Sequence, residues 1–136
     1  MGIDEIKKMF EADKYVALSG IEILSVSEES ASVGAKILPC HLNANGVVQG
    51  GMLYTLADFA FAVHANFLHP VSVSQSGHIT YIAPADTDYI TATATELVRR
   101  GHNSVCQVTV RGSDGNIICT ATFNGFIKTQ AKEGRE

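Results

Sequence analysis

The pattern of hydrophobic and polar positions divides the chain into a short amphipathic helix, one long apolar segment and a set of strands. Apolar residues recur at helical spacing near the N-terminus, which predicts a helix over about residues 4–13. The long segment runs from Gly50 to about Asn66 and is apolar around its whole circumference. A helix of that kind is buried, and this one is too short and too rich in Gly and Ala to be read as a membrane span.

Alternating apolar and polar positions predict six strands around the long helix. Two precede it, at residues 18–26 and 31–37, and four follow it, at residues 71–83, 89–98, 104–111 and 117–128. Asp114 and Gly115 mark a tight hairpin between the last two strands. Consecutive strands joined by hairpins favour an antiparallel sheet. The predicted fold class is therefore α+β, with the sheet wrapped around a single helix.

Length and composition fit one domain over residues 1–136, with a frayed polar tail at about residues 129–136. Apolar residues make up 46% of the chain and charged residues 18%, and this apolar excess fits burial of surface against a second subunit. The formal net charge is −4 and the basic residues are scattered. This pattern argues against a nucleic-acid partner.

The cysteines and the N-terminus indicate the compartment. Three cysteines without a CxxC spacing argue against a disulfide framework or a structural zinc site, so the expected setting is the cytoplasm. The N-terminus lacks the apolar stretch of a signal peptide, and no association with a membrane is expected. Familiar nucleotide, metalloprotease and serine-hydrolase motifs are absent, and the five histidines lack a metal-ligand spacing. We therefore expect no metal and no cofactor.

Asp58 is the single formal charge in the 49 residues from Ile37 to Ala85. A carboxylate in apolar surroundings is costly unless it is hydrogen-bonded, and burial raises its pKa. Groups perturbed in this way are enriched at functional sites, which makes Asp58 the first candidate for chemistry. A structural acid that caps or bridges helices within the core is the alternative, and the physics alone leaves it open.

Gly50 and Gly51 open the predicted helix, where backbone N–H groups at the positive end of the helix dipole can stabilise an oxyanion. Gly50 and Asp58 are separated by about 12 Å along a helix, at about 1.5 Å per residue. One small carbonyl group cannot easily touch both within one chain. A two-fold dimer with antiparallel facing helices would bring Gly50 of one subunit near Asp58 of the other.

The stretch from His41 to Asp58 resembles the PaaI-type branch of the hotdog-fold acyl-CoA thioesterases. That family pattern has an Asn in the loop, here Asn43, a Gly-Gly at the helix start and an Asp in the helix at this spacing. Residues 74–85 also resemble the family's strand after the helix. The resemblance implies a hotdog fold, a curved antiparallel sheet around the central helix. It also implies assembly as a dimer or a dimer of dimers, with sites at the subunit interface.

The resemblance also implies residue roles in hydrolysis of an acyl or aryl-acyl CoA thioester to the free acid and CoA. The N–H of Gly50 would polarise the thioester carbonyl, and Asp58 of the partner would act as nucleophile or general base. Asn43 would position the attacking water or the thioester, and Ser74 would hydrogen-bond near the acid. Gly51 and Tyr54 belong to the expected substrate site, and CoA enters as part of the substrate rather than as a cofactor.

Two positions leave the expected mechanism open. The family commonly has a His where this chain has Gln49, and Gln cannot titrate, so Gln49 is expected to orient groups near the thioester rather than to exchange protons. Arg99 and Arg100 lie in the hairpin where the family tends to meet the CoA nucleotide. Either could bind a phosphate, and a solvated hairpin is the competing interpretation.

Two other functions fit the same predicted fold. One is a non-catalytic acyl-CoA sensor, which would normally need an attached effector domain. The other is a hydratase-dehydratase, which would need a His paired with Asp58, and the sequence offers no such His. Fold alone does not separate these functions. The sequence also leaves the acyl group open among phenylacetyl, hydroxybenzoyl and medium-chain groups.

Overall fold

The computed structural model describes residues 1–128, so the tail predicted at residues 129–136 lies outside the described residues. The helices are α1 (Ile3–Met9), α2 (Lys14–Leu18) and α3 (Gly50–Leu68), with short 3-10 turns at Phe10–Ala12 and Pro39–His41. The strands are β1 (Glu22–Val26), β2 (Ala31–Lys36), β3 (Ser72–Tyr81), β4 (Tyr89–Arg100), β5 (Asn103–Gly112) and β6 (Ile117–Ile127). The predicted sequence of two strands, one long helix and four strands is confirmed.

The segment before β1 differs from the prediction. Helix α1 and its 3-10 turn occupy most of the helix expected over residues 4–13, but a second helix, α2, follows at once. Asp13 caps α2, because its Oδ1 accepts the N–H of Val16 at 3.1 Å. The strand predicted from residue 18 therefore begins only at Glu22. Helix α2 takes in Leu18, the first residue of the predicted strand, and a turn at residues 19–20 separates it from β1.

All six strands form one antiparallel sheet in the order β1-β2-β4-β5-β6-β3. Hairpins join β1 to β2 and link β4, β5 and β6 in sequence, whereas β3 pairs with β6 at the far edge. Helix α3 contacts every strand of this sheet, which requires the sheet to curve around it. The arrangement is the expected α+β fold, with one central helix in a curved antiparallel sheet.

The core lies between α3 and the inner face of the sheet. Large side chains on α3 such as Leu56 and Phe61 are buried in one core cluster with small residues on the central strands, including Ala92 and Ala94 on β4. Small residues on the sheet let the helix lie close to it, while β-branched Thr on the other face of β4 suits a pleated surface. This packing fixes the position of α3, and with it the position of the candidate site.

Two neighbouring surfaces remain uncovered in the single chain. On α3, Gly51, Thr55, Asp58 and Ala62 fall on one strip of the helix that the sheet does not cover. The strand β3 has β6 on one side and no strand on its other side within residues 1–128, and most of its side chains are exposed. An exposed strand edge of this length is a template for pairing with another chain.

None of the helices within residues 1–128 is long and apolar enough to cross a membrane.

Candidate active site

The N-terminus of α3 presents a single unoccupied backbone donor. Gln49 is the N-cap: its Oε1 accepts the N–H of Gly51 at 2.5 Å, and its backbone oxygen accepts the N–H groups of Met52 and Leu53. The N–H of Gly50 has no acceptor within hydrogen-bond range among residues 1–128. The helix dipole and this free donor together give the Gly50 N–H the capacity to stabilise a negative charge on a ligand.

Tyr81 contacts the same turn from the end of β3. Its hydroxyl donates to the backbone oxygen of Gly50 at 2.9 Å, and a Cβ at residue 50 would lie 3.2 Å from the Tyr81 ring. Burial raises the pKa of the Tyr81 hydroxyl, so the group is a proton donor throughout the neutral range. Sequence reasoning missed Tyr81, because no local pattern links it to a glycine that lies 31 residues earlier.

Asp58 lies on the uncovered strip of α3, two turns beyond Gly50, and its side chain is half-buried. Burial raises the pKa of its carboxyl group, and the neighbouring negative charge of Asp13 raises it further. Within residues 1–128, no hydrogen bond or ion pair satisfies the Asp58 carboxylate. A structural acid would be bonded to the elements that it bridges, so the unbonded carboxylate favours the interpretation of Asp58 as a chemical group.

Asn43 organises the loop before α3. Its Oδ1 accepts the N–H groups of Asn45 at 2.8 Å and Val47 at 3.2 Å, which folds the loop back on itself. His41 anchors this loop, since its Nδ1 accepts the N–H of Leu38 and its Nε2 donates to the Ser19 oxygen. The Asn43 oxygen is therefore occupied, and the amide NH₂ is the part of the side chain that remains to meet a substrate or water.

The strand register divides the candidate residues between the two ends of the molecule. Tyr81, beside Gly50, marks one end of β3, and Ser74 lies towards the other end, where Asn66 of α3 bonds the backbone of Ser72. The pairings place Arg99 in the same row across the sheet as Ser74, through Ser104 and Gly125. Within one chain, the helix N-terminus and the two arginines are thus at opposite ends.

The remaining predicted residues have structural contacts of their own. The Tyr54 ring packs edge-on against Phe123, and its hydroxyl lies against Gly77 of β3, where a Cβ would overlap it. Arg99 donates to the Gly101 oxygen at 3.3 Å, across the hairpin between β4 and β5. Ser74 is exposed, at an irregularity in the pairing of β3 with β6. None of these contacts brings Ser74, Arg99 or Arg100 to the helix N-terminus of the same chain.

Two open clefts flank the N-terminus of α3. One has a volume of about 300 Å³ and is lined by Val48, Gly50, Leu53 and residues 81–85. The other has a volume of about 390 Å³ and is lined by Tyr15, Leu18, Ser19, Cys40, His41, Gln49, Gly51 and Met52. Gly50 therefore faces one cleft and Gly51 the other. A ligand at the helix N-terminus can extend along either side of the helix.

The cysteines of the core are unsuited to act as nucleophiles. Burial raises the pKa of both Cys106 and Cys119 to about 11, so both thiols stay protonated at neutral pH. No group of three potential metal ligands occurs in the part of the chain that the structure describes. The groups available for chemistry at α3 are thus the Gly50 N–H, the Asp58 carboxylate and the amides of Asn43 and Gln49.

The fold and this site define a thioester hydrolase, and comparison with known proteins identifies the family. The model of the Thioesterase superfamily matches residues 45–119, so the chain belongs to that superfamily. A putative esterase of Deinococcus radiodurans is 30% identical over 125 residues, which cover 90% of this chain and 84% of the relative. The segment that the family model matches contains Gly50, Asp58 and Tyr81.

Similarity to PaaI proteins places the chain within the superfamily. The acyl-coenzyme A thioesterase PaaI of Escherichia coli is 34% identical over 87 residues, which cover 63% of this chain and 62% of that protein. The solved structure of E. coli PaaI matches with a TM-score of 0.83 at 25% identity, and the match covers 88% of each chain. A hypothetical thioesterase of Streptococcus pneumoniae, solved with coenzyme A, has a TM-score of 0.81 at 25% identity and covers 89% of this chain and 95% of its own. The expected PaaI-type hotdog fold is confirmed.

Proposed function

We propose that the protein is an acyl-CoA thioesterase that hydrolyses an acyl or aryl-acyl CoA thioester to the free acid and CoA. The observation that carries this proposal is the free Gly50 N–H at a helix N-terminus together with the unbonded, half-buried Asp58 carboxylate. The names of two relatives support the substrate class: E. coli PaaI is an acyl-coenzyme A thioesterase, and the S. pneumoniae protein was solved with coenzyme A.

These two groups supply the chemistry that thioester cleavage requires. The Gly50 N–H donates to the carbonyl oxygen and stabilises the negative charge that develops there. Asp58 either takes a proton from the attacking water or attacks the carbonyl carbon itself, and its raised pKa makes it a stronger base than an ordinary Asp. The C–S bond breaks, the sulfur leaves as the CoA thiolate, and a proton from water converts it to the thiol. If Asp58 is the nucleophile, the acyl group is left on its carboxylate as a mixed anhydride, which a water molecule hydrolyses to the free acid and Asp58.

The proposal includes a dimer in which each site takes Gly50 from one subunit and Asp58 from the other. Eight residues of helix separate the two within a chain, about 12 Å, which is too far for both to touch one carbonyl group. Pairing of two β3 edges across a two-fold axis would cover that edge and the strip of α3 that carries Asp58. The same operation would carry Ser74, Arg99 and Arg100 of the partner towards the helix N-terminus. A dimer of dimers would repeat this unit.

The other residues have supporting roles in this proposal. Asn43 directs its free amide at the water or thioester, and Ser74 of the partner hydrogen-bonds near the acid. Gln49, Gly51 and Tyr54 shape the site around the thioester, and Arg99 or Arg100 holds a phosphate of CoA. The three cysteines are unpaired, as the expected cytoplasmic setting would keep them.

The direct experiment measures thiol release over a panel of acyl-CoAs, with the wild type beside Asp58→Asn. We expect turnover of at least one acyl-CoA by the wild type and a loss of at least a hundredfold in Asp58→Asn, about 3 kcal/mol of transition-state stabilisation. Glu28→Gln is the matched control, since it removes an exposed carboxylate in the hairpin between β1 and β2. Full turnover by Asp58→Asn on every responsive substrate would refute the role of Asp58. Saturable acyl-CoA binding without thiol release by the wild type would favour the sensor.

A further inference from the structure

The peptide unit between Gly50 and Gly51 is held at both of its ends by side chains. Its carbonyl oxygen, which belongs to Gly50, accepts the hydroxyl of Tyr81 at 2.9 Å. Its N–H, which belongs to Gly51, donates to Oε1 of Gln49 at 2.5 Å. Gln49 precedes this peptide in the chain, at the end of the loop before α3, and Tyr81 follows it, at the end of β3. A peptide bonded at both ends cannot rotate about its flanking torsions without breaking a hydrogen bond.

This arrangement determines which donor is left for a substrate. Four N–H groups at a helix N-terminus lack partners within the helix. Here these are the N–H groups of Gln49, Gly50, Gly51 and Met52. Gln49 satisfies two of them, because its side chain accepts from Gly51 and its backbone oxygen accepts from Met52, and its own N–H donates to the His41 oxygen at 2.8 Å. Of the four donors at this helix N-terminus, the Gly50 N–H is the one without an acceptor among residues 1–128. It belongs to the preceding peptide, which shares the Cα of Gly50 with the clamped one.

Tyr81 also accounts for the glycine at residue 50. A Cβ there would lie 3.2 Å from Cζ and 3.3 Å from Oη of Tyr81. That spacing is tighter than ordinary contact, so any larger residue would push the Tyr81 ring away and strain its hydrogen bond. The Tyr81 ring can approach the helix turn this closely because Gly50 has no side chain.

We propose that Tyr81 is a positioning residue that acts with Gln49 to clamp the Gly50–Gly51 peptide and aim the Gly50 N–H at the thioester oxygen. This inference rests on the proposed thioesterase function and deepens it. Tyr81 does not touch the reacting atoms in this arrangement. Tyr81 acts through Gly50. Gln49 holds the other end of the peptide by accepting the Gly51 N–H, a role that requires no titrating group, and this explains why Gln serves at this position.

The kinetic test compares Tyr81→Phe with Tyr89→Phe. Tyr81→Phe removes only the hydroxyl, and we expect kcat to fall about five- to tenfold with KM changed less than about twofold, because one hydrogen bond to the helix turn is lost. Tyr89→Phe is the matched control, since it removes a surface hydroxyl that bonds Glu22 on β1, and it should leave both constants unchanged. An unchanged kcat in Tyr81→Phe, or a change confined to KM, would overturn the proposal.

A second test concerns Gln49. Asn is a strong N-cap residue, so Gln49→Asn should keep most of kcat, while Gln49→Leu removes the acceptor and should lower kcat about tenfold. Equal losses in the two variants would mean that the long amide of Gln49 contacts the thioester directly, against the capping role.

A third measurement needs no activity and separates the clamp from the proposed function. Amide hydrogen exchange should be slower at Gly51 than at Gly50 in the wild type, and Gln49→Leu and Tyr81→Phe should each accelerate exchange at Gly51. Unchanged exchange at Gly51 in both variants would refute the clamp, whatever the substrate. A wild type that shows the clamp by exchange but cleaves no acyl-CoA would refute only the thioesterase function.

Discussion

At the scale of single residues, Asp58 of the proposed site and its neighbour Asp13 are two carboxylates that differ in their environment. Asp58 is half-buried and unbonded, whereas Asp13 is fixed as the cap of α2 by the N–H of Val16. Phe10, in the turn that leads to Asp13, packs edge-on against Phe59 with ring centroids 5.2 Å apart, which holds this turn next to Asp58 on α3. The negative charge of Asp13 therefore adds to the effect of burial and raises the pKa of Asp58.

Asp13→Asn tests this coupling. Asn keeps the capping acceptor but removes the charge, so the pKa of Asp58 should fall while burial still holds it above the ordinary value of 3.8. The ionised form of Asp58 then persists to lower pH, and the acid limb of the kcat/KM profile should move to lower pH. Glu11→Gln removes a carboxylate two residues earlier, which does not contribute to the raised pKa of Asp58, and it should leave the limb in place. Equal displacement in both variants would contradict a specific effect of Asp13.

At the residue scale, the sequence could propose candidates only where the signal was local. Asp58 stood out because its neighbours along the chain are uncharged, and Gly50 because glycines open the helix. Tyr81 and Asp13 could not be found in this way. Each reaches the site through a tertiary contact between separate elements, and nothing in the surrounding sequence records such a contact.

At the scale of elements, α3 carries a second buried polar group whose role differs from that of Asp58. His64 is fully buried, and neither ring nitrogen has a hydrogen-bond partner within the described residues. Burial lowers the pKa of His64; the charge of Glu96 on β4 opposes this shift, and His69 beyond the end of α3 adds to it. Glu96 itself is bonded to His69 at 2.8 Å and accepts the hydroxyl of Ser104. The interior of α3 thus contains a neutral histidine at an energetic cost.

His64 makes stability depend on pH. Its pKa is lower in the folded than in the unfolded state, so the unfolded chain binds the extra proton first and stability falls as pH drops below the ordinary value of 6.5. His64→Leu should remove this fall and raise the free energy of unfolding at neutral pH by about 1 kcal/mol, because an unbonded buried polar group is lost. Denaturation at pH 7.5 and 5.5 measures both effects. His78→Gln, an exposed histidine on β3, is the control, and a pH dependence unchanged in His64→Leu would contradict the account.

The elements themselves followed closely from periodicity, except before β1. The apolar pattern identified α3 and all six strands, although β1 begins four residues later than predicted, because burial on one or both faces leaves a clear signal. It could not show that one strip of α3 remains uncovered. The helix is apolar around its circumference, and the uncovered strip consists mainly of small residues that a sequence pattern assigns to a core.

At the scale of the whole molecule, the fold separates the groups that the chemistry must bring together. The free N–H of Gly50 lies at one end of α3, Asp58 lies two turns along it, and Arg99 lies at the far end of the sheet. The exposed β3 edge and the strip of α3 beside it are the surfaces through which a second copy would complete the arrangement. The apolar excess of the sequence predicted such an interface, and the strand register indicates which residues it would bring together.

Gly50→Pro offers a way to remove the central donor while keeping the helix backbone. Proline is favoured at the first position of a helix, and Gln49 already has the extended backbone that precedes proline, with φ −66° and ψ 138°. The variant lacks the N–H, so it should lose at least a hundredfold in kcat. Gly50→Ala is its control: it introduces the same contact with Tyr81 but keeps the N–H, and it should lose much less. Equal losses in the two variants would assign the effect to crowding.

The most direct test of the central claim is subunit complementation between Gly50→Pro and Asp58→Asn. Each variant alone should be inactive, because each lacks one half of every site. When equal amounts of the two variants are mixed, unfolded and refolded together, half of the dimers are heterodimers. Each heterodimer contains one site with both native groups and one with neither, so about a quarter of the wild-type activity should return. Activity no greater than the sum of the two separate variants would contradict a site shared between subunits.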